Sequence, residues 1–282
     1  MGYVHEPSKQ VAITAAAFLR EHLKIDDFNQ PEVGLVLGTG WGDVLEFDAE
    51  RRVSFKDIPG FCVLEEMSAH AREVVCGTVG GKRFIALRGR VHLNERTSDP
   101  TLDASVRLQM EMLVHLGVKK FIITCASGSL LPSMGVDNIV LVDGFVTLFA
   151  PDMPLFAGEF RSPEDAIDQE LIKDILNNVA HGFPLRISCG GHAMVRGPFF
   201  EGRKYDKKFL ASTGAAVVGM SVLPEACIAA LYQEDIKKGT ILPIAYVSNT
   251  ATEVHSDEEN QRRAKEQAAK LGALLGKIVE RM

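Results

Sequence analysis

One stretch constrains the fold of this chain more than any other: Ala215-Ala216-Val217-Val218-Gly219-Met220-Ser221-Val222-Leu223-Pro224-Glu225. An apolar run breaks there into small and polar residues just before a helix. The β-branched pair Val217 and Val218 favours a strand ending near Gly219. Pro224 suits the first turn of a helix that Ala226, Ile228, Ala229, Ala230 and Leu231 continue. In open α/β sheets the ligand sits beyond the carboxyl ends of such strands, so this is where a site is expected.

The same device recurs. Val33-Gly34-Leu35-Val36-Leu37 runs into Gly38-Thr39-Gly40-Trp41-Gly42-Asp43, read as a strand, a glycine-rich turn and a short helix whose backbone NH groups can approach an anion. A plain strand-to-helix turn would look the same. A dinucleotide site would need Gly-x-Gly-x-x-Gly, whereas the spacing here is Gly-x-Gly-x-Gly and Asp57 is the only acid placed like a ribose partner. Lys120–Thr124 reads as a strand ending in a second small-residue turn, Cys125-Ala126-Ser127-Gly128-Ser129. Ile139–Val142 and Ile241–Val247 are further strand candidates, the latter ending in Ser248-Asn249-Thr250.

Helical spacing of apolar residues marks Ser8–Leu23, the segment around Val106, Met110 and Leu113, and Ala166–Val179. A last helix starts at Ser256, with Glu259 completing a capping box. In 282 residues there is room for one large domain or two small ones, and the absence of a linker or repeat favours one, residues 1–282.

Strand alternation over Arg83–Glu95 puts Arg88, Arg90, His92 and Asn94 on one face. That face is either an anion-binding cluster or an ordinary solvated side. The net charge of −6 argues against nucleic acid as a partner, since its phosphates demand a basic surface, so any anion must be held by a local cluster. The five cysteines are widely spaced, which suits reduced thiols and implies no metal. No apolar run is long enough to span a bilayer and no leader precedes the first helix, so no membrane partner is expected and the location expected is cytoplasmic.

Taken in order, Gly38-Thr39-Gly40, Arg90-Val91-His92, Gly197-Pro198-Phe199-Phe200-Glu201, Val218-Gly219-Met220-Ser221 with Pro224-Glu225, and Ser248-Asn249 resemble the trimeric purine nucleoside phosphorylases. Each motif alone is weak, and the ordered set from Gly34 to Leu271 is specific. The resemblance implies one α/β domain with a central mixed, twisted β-sheet flanked by helices. It implies phosphorolysis of purine nucleosides to free base and ribose 1-phosphate in a homotrimer, with inorganic phosphate as co-substrate and no cofactor. Thr39, His70, Arg90, His92, the backbone at Ala126 and Ser221 would hold phosphate, with Arg90 supplying the main charge. Glu201 would accept from a purine ring NH, and Asn249 would bond the ring where charge grows; with His92 they form the implied catalytic set. Phe200 would pack on the base and Met220 under the ribose. Phe160 would reach a neighbouring subunit's site. His255 or Asp257 would lie near the 5′-hydroxyl.

The sequence departs from that family at several points. Asn94 stands where an aromatic is usual, and the stretch Arg96–Asp103 lacks the family's glycine and aromatics. Ser68-Ala69 replaces a proline-glycine before His70. The Gly128-Ser129 ending leans toward the methylthioadenosine phosphorylase branch. Asn249 leans the other way, because an amide serves a 6-oxopurine where the 6-aminopurine branch carries Asp. Phosphorolysis of 6-oxopurine nucleosides is therefore expected, with a methylthioadenosine-cleaving enzyme or an inactive nucleoside-binding homologue as the alternatives.

Overall fold

The computed structural model describes residues 4–31, 33–62, 71–95, 100–197, 199–232 and 239–282. Nine strands among them form one sheet. Its centre is built from continuous apolar runs. Every residue of β1 (Val33–Leu37) and of β9 (Ile241–Asn249) is buried, as expected where a strand is covered on both faces. Between them lies β5 (Lys120–Ser129), parallel to both. The carboxyl ends of these three strands therefore point the same way.

Beyond β1 the sheet continues through β4 (Lys82–Arg88), parallel to it, then β3 (Glu73–Val79) and β2 (Asp48–Ser54), each antiparallel to its predecessor. On the other side β5 pairs antiparallel with β8 (Val217–Gly219), which lies parallel to β7 (Arg186–Met194), itself parallel to β6 (Asn138–Val146). β9 closes the circuit by pairing with both β6 and β5. Five strands thus form a closed ring from which the other four extend as an open, twisted wing.

Helix α1 (Glu6–His22) buries Ala12, Ala15, Ala16 and Leu19 and packs on α2 (Pro100–Leu116). Helices α3 (Gln169–Asn178), α4 (Asp206–Ser212), α5 (Leu223–Leu231), α6 (Asp257–Glu266) and α7 (Ala268–Val279) complete the described helices. The apolar α5, buried along its whole length, packs against α2. No helix among the described residues is long and apolar enough to cross a membrane.

The mixed sheet and the strands at Val33, Lys120, Ile139, Val217 and Ile241 match the sequence reading. Five local expectations are corrected. β4 stops at Arg88 because Gly89 turns with φ +88°, so the alternation from Arg88 to Asn94 does not exist. Arg88 instead pairs with Glu50 and Glu73 on the wing. Cys125–Ser129 is not a turn but the second half of β5, held by β9 and β8 on its two sides. Gly38–Asp43 is a turn with no helix after it. The last helix breaks at Gln267 into α6 and α7. Ser256 caps α6 by accepting from Glu259 N, but the Glu259 carboxylate reaches forward to Arg262 and Arg263, so the reciprocal half of the capping box is not made.

Candidate active site

A cavity of about 520 Å³ opens where β1, β5, β8 and β9 end. Thr39, Arg90, His92, Ala126, Ser221, Phe200, Glu201, Met220, Asn249 and His255 all line it, as does Asp257. These residues are drawn from segments more than two hundred positions apart. The register explains the convergence: Gly128 pairs with Asn249 on one side and Val218 on the other, so the central strand brings the ends of β8 and β9 to one place. Phe160 does not line the cavity and is 82% exposed. His70 lies outside the described residues, as do residues 96–99.

On the side of the expected oxyanion, Arg90 is 1% exposed and already engaged. Its Nη1 donates to Glu225 Oε1 at 2.6 Å, and its Nη2 donates to the Thr124 carbonyl. Glu225 sits in the first turn of α5, where the helix dipole favours a carboxylate. The charge that Arg90 offers an anion is therefore offset by a buried partner. His92 N donates to Glu95 Oε1 at 2.8 Å, and Arg72 pairs with the same carboxylate's other oxygen. Against the burial that would raise it, the His92 hydrogen bonds and the Arg72 charge hold Glu95 below the usual carboxylate range.

On the side of the expected base, Glu201 and Asn249 meet over a residue absent from the sequence reading, Lys207. The Lys207 ammonium donates to Asn249 Oδ1 at 2.9 Å and lies 3.4 Å from Glu201 Oε1. A Cβ built on Gly128 would fall 2.6 Å from that Asn249 oxygen and 3.3 Å from the Glu201 oxygen, so the strand comes this close only because it carries glycine there. Burial lowers the Lys207 pKa from its ordinary value, and Glu201 opposes that shift. Asn249 Nδ2 donates to Asn260 Oδ1 at 3.2 Å and to Ser248 Oγ at 3.3 Å. His255 stacks obliquely on Phe200 with ring centroids 4.5 Å apart and meets Asn260 through Nδ1. Burial and the Lys207 charge hold its imidazole below the ordinary range.

Behind the wall lies His192, wholly buried and edge-on to Phe145. Neither ring nitrogen has a hydrogen-bond partner among the described residues. Burial pushes its pKa down to about 4, so it is neutral at pH 7.

Chemically, the cavity can hold a polyatomic anion beside Arg90, His92 and Ser221, and a flat heterocycle against Phe200, with a carboxylate acceptor and an amide donor on its rim.

Residues 32–281 match the family model described as the phosphorylase superfamily. The chain is 27% identical over 273 residues to purine nucleoside phosphorylase 1 of Bacillus subtilis (strain 168), covering 94% of this chain and 95% of that one. It is 28% identical over 228 residues to the purine nucleoside phosphorylase of Mus musculus, covering 77% and 75% of the two chains. An S-methyl-5′-thioadenosine phosphorylase of Hyperthermus butylicus matches at 26% over 216 residues, covering 74% of this chain and 76% of that one. The crystal structure of isoform 2 of purine nucleoside phosphorylase from Schistosoma mansoni, in complex with cytosine and ribose-1-phosphate, superposes with a TM-score of 0.78 at 23% identity, covering 97% of this chain and 96% of that chain.

Proposed function

Because the chain belongs to the phosphorylase superfamily, we propose that it is a purine nucleoside phosphorylase that cleaves 6-oxopurine nucleosides with inorganic phosphate. The observation that supports this reading is that one cavity is lined both by the residues expected to hold an anion (Thr39, Arg90, His92, Ser221) and by those expected to hold the base (Phe200, Glu201, Asn249), with Met220 also lining it.

In this reading phosphate lies against Arg90, His92, Thr39, Ser221 and the Ala126 backbone, with His70 as a further expected partner. A phosphate oxygen closes on C1′ as the C1′–N9 bond breaks and its electron pair passes to the purine. Glu201 accepts from the purine N1–H, and Asn249 donates to the ring that gains charge. The proton shed by hydrogen phosphate on esterification balances the one the purine takes up. Catalysis then consists of holding donors where charge develops, which is where an enzyme gains most. No step needs a metal or organic cofactor.

The Asn249 amide supports the 6-oxopurine preference. A second reading, cleavage of methylthioadenosine, is favoured by the Gly128-Ser129 ending and the Hyperthermus butylicus likeness. We also infer a homotrimer in which the exposed Phe160 reaches the cavity of a neighbouring copy.

The test is base release from inosine, adenosine and methylthioadenosine with and without phosphate. Release from inosine that requires phosphate is expected. Equal release without phosphate means a hydrolase, tight nucleoside binding with no turnover means an inactive homologue, and faster turnover of methylthioadenosine selects the second reading.

A further inference from the structure

Lys207 is 2% exposed although it stands in the charged run Arg203-Lys204-Tyr205-Asp206-Lys207-Lys208. An ammonium has three donors and no acceptor. Here it faces three acceptors: Asn249 Oδ1 and the Thr250 carbonyl, each at 2.9 Å, and Glu201 Oε1 at 3.4 Å. Two of the three belong to the residues assigned to the base.

The consequence is directional. Opposite an ammonium Asn249 can present only its oxygen, so its Nδ2 must turn the other way, toward Asn260 Oδ1 and Ser248 Oγ. With its oxygen taken, Asn260 presents Nδ2 to His255 Nδ1 at 3.1 Å. That nitrogen must accept, which leaves the proton of a neutral ring on Nε2. One buried charge thus sets the donor direction of three side chains that line the cavity.

We propose that Lys207 is a positioning residue that locks Asn249 with its amide nitrogen turned from the cation, so that the hydrogen held weakly by Ser248 can pass to the purine, and that it polarises that amide as the leaving base gains charge. The proposal rests on the phosphorolytic reading above. As the C1′–N9 electron pair moves onto the purine, N7 becomes a stronger acceptor. Asn249 Nδ2 exchanges its long 3.3 Å bond to Ser248 for one to N7, and the cation behind the carbonyl strengthens that donation.

The test compares guanosine with 7-methylguanosine in the intact protein and in Lys207→Met. 7-Methylguanosine is a cation that accepts no hydrogen bond at N7 and leaves as a neutral base; its ring charge acidifies N1–H, so both nucleosides are compared in mildly acidic buffer, where each keeps that proton for Glu201. For guanosine kcat should fall about 10- to 100-fold, less than the roughly 100- to 1,000-fold of losing a donor outright because Asn249 itself remains, with KM changed less than about threefold. For 7-methylguanosine kcat should hold or rise, because a like charge has been removed. Lys207→Gln keeps a donor for Asn249 Oδ1 without the charge, and should recover part of the guanosine rate. If Lys207→Met loses the native melting transition, Lys207→Gln is read on the same substrate pair. Guanosine-selective loss supports the proposal, and equal loss on both nucleosides, a change in KM alone or no change overturns it. No phosphate-dependent release by the unsubstituted protein would instead remove the functional reading, a result distinct from any behaviour of the variants.

Discussion

The Arg90–Glu225 pair sets up an opposition between stability and anion affinity that one substitution exposes. Both side chains are buried, and they meet at 2.6 Å. Removing one partner of such a pair strands the other charge and costs about 3–5 kcal/mol. Glu225→Gln keeps the shape and an acceptor, so about 3 kcal/mol is expected. At about 2–4 °C per kcal/mol for a chain of this size, Tm should drop by roughly 6–12 °C. The same change leaves Arg90 uncompensated beside the anion wall, and phosphate should bind about tenfold tighter, worth about 1.4 kcal/mol. Binding feeds back on stability. At phosphate 100-fold above the variant's Kd, linkage returns about 2.7 kcal/mol to the variant, and about 1.4 kcal/mol to the unsubstituted protein binding tenfold more weakly. The melting gap should therefore narrow by roughly 3–5 °C on adding phosphate. Differential scanning calorimetry with and without phosphate reads both effects. A gap that phosphate leaves unchanged would show that Arg90 does not face the anion, and an unaltered Tm would refute the buried pair itself.

Three further outcomes follow from the same structure. His192 titrates near 6.5 when unfolded but at about 4 in the fold. The unfolded chain therefore binds the extra proton between those values, and stability should fall by about 3 kcal/mol as pH drops through that window; urea titrations at several pH values should show the slope in the native protein and lose it in His192→Phe. Gly40 has φ +80° and a Cβ there would lie 2.0 Å from the Ala264 Cβ, so Gly40→Ala should cost about 2 kcal/mol or more, visible as a lower urea midpoint. Asn249→Asp places a carboxylate against Lys207, which holds it ionised and acceptor-only; the ratio of adenosine to inosine turnover should rise about tenfold or more, and an unchanged ratio in steady-state assays would count against the role given to Asn249.

The strands readable from sequence are those buried on both faces, because a continuous β-branched run has no other stable place. β3 was missed although Val74–Gly77 are buried, and β2 escaped that logic. β2 (Asp48–Ser54) is an edge strand with its charged residues largely in solvent, and edges are kept polar to prevent further pairing, so its pattern resembles a loop. The end of β5 misled for the opposite reason. Cys125–Ser129 is made of small residues not because it turns but because β8, β9 and the cavity crowd it from several sides. Small residues signal either free space or none, and composition alone does not separate the two.

The site shows the same division at finer scale. Motif order named residues that the fold gathers around one cavity, Thr39, Arg90, His92, Glu201 and Asn249 among them, while Phe160 stays outside it and His70 lies outside the described residues. It did not locate what each of them leans on. Arg90 was read by alternation with Arg88, yet the turn at Gly89 sends it to Glu225, 135 positions away, a distance at which no local period carries information. Lys207 lay in a run whose other members are exposed and which reads as solvated charge. One signal was available: Lys207 and Leu210 are both buried and stand three apart, the spacing of one helix face. A lysine on the apolar face of a helix cannot remain unpaired. Wherever that face packs, acceptors must be waiting, and here they include the two side chains assigned to the purine.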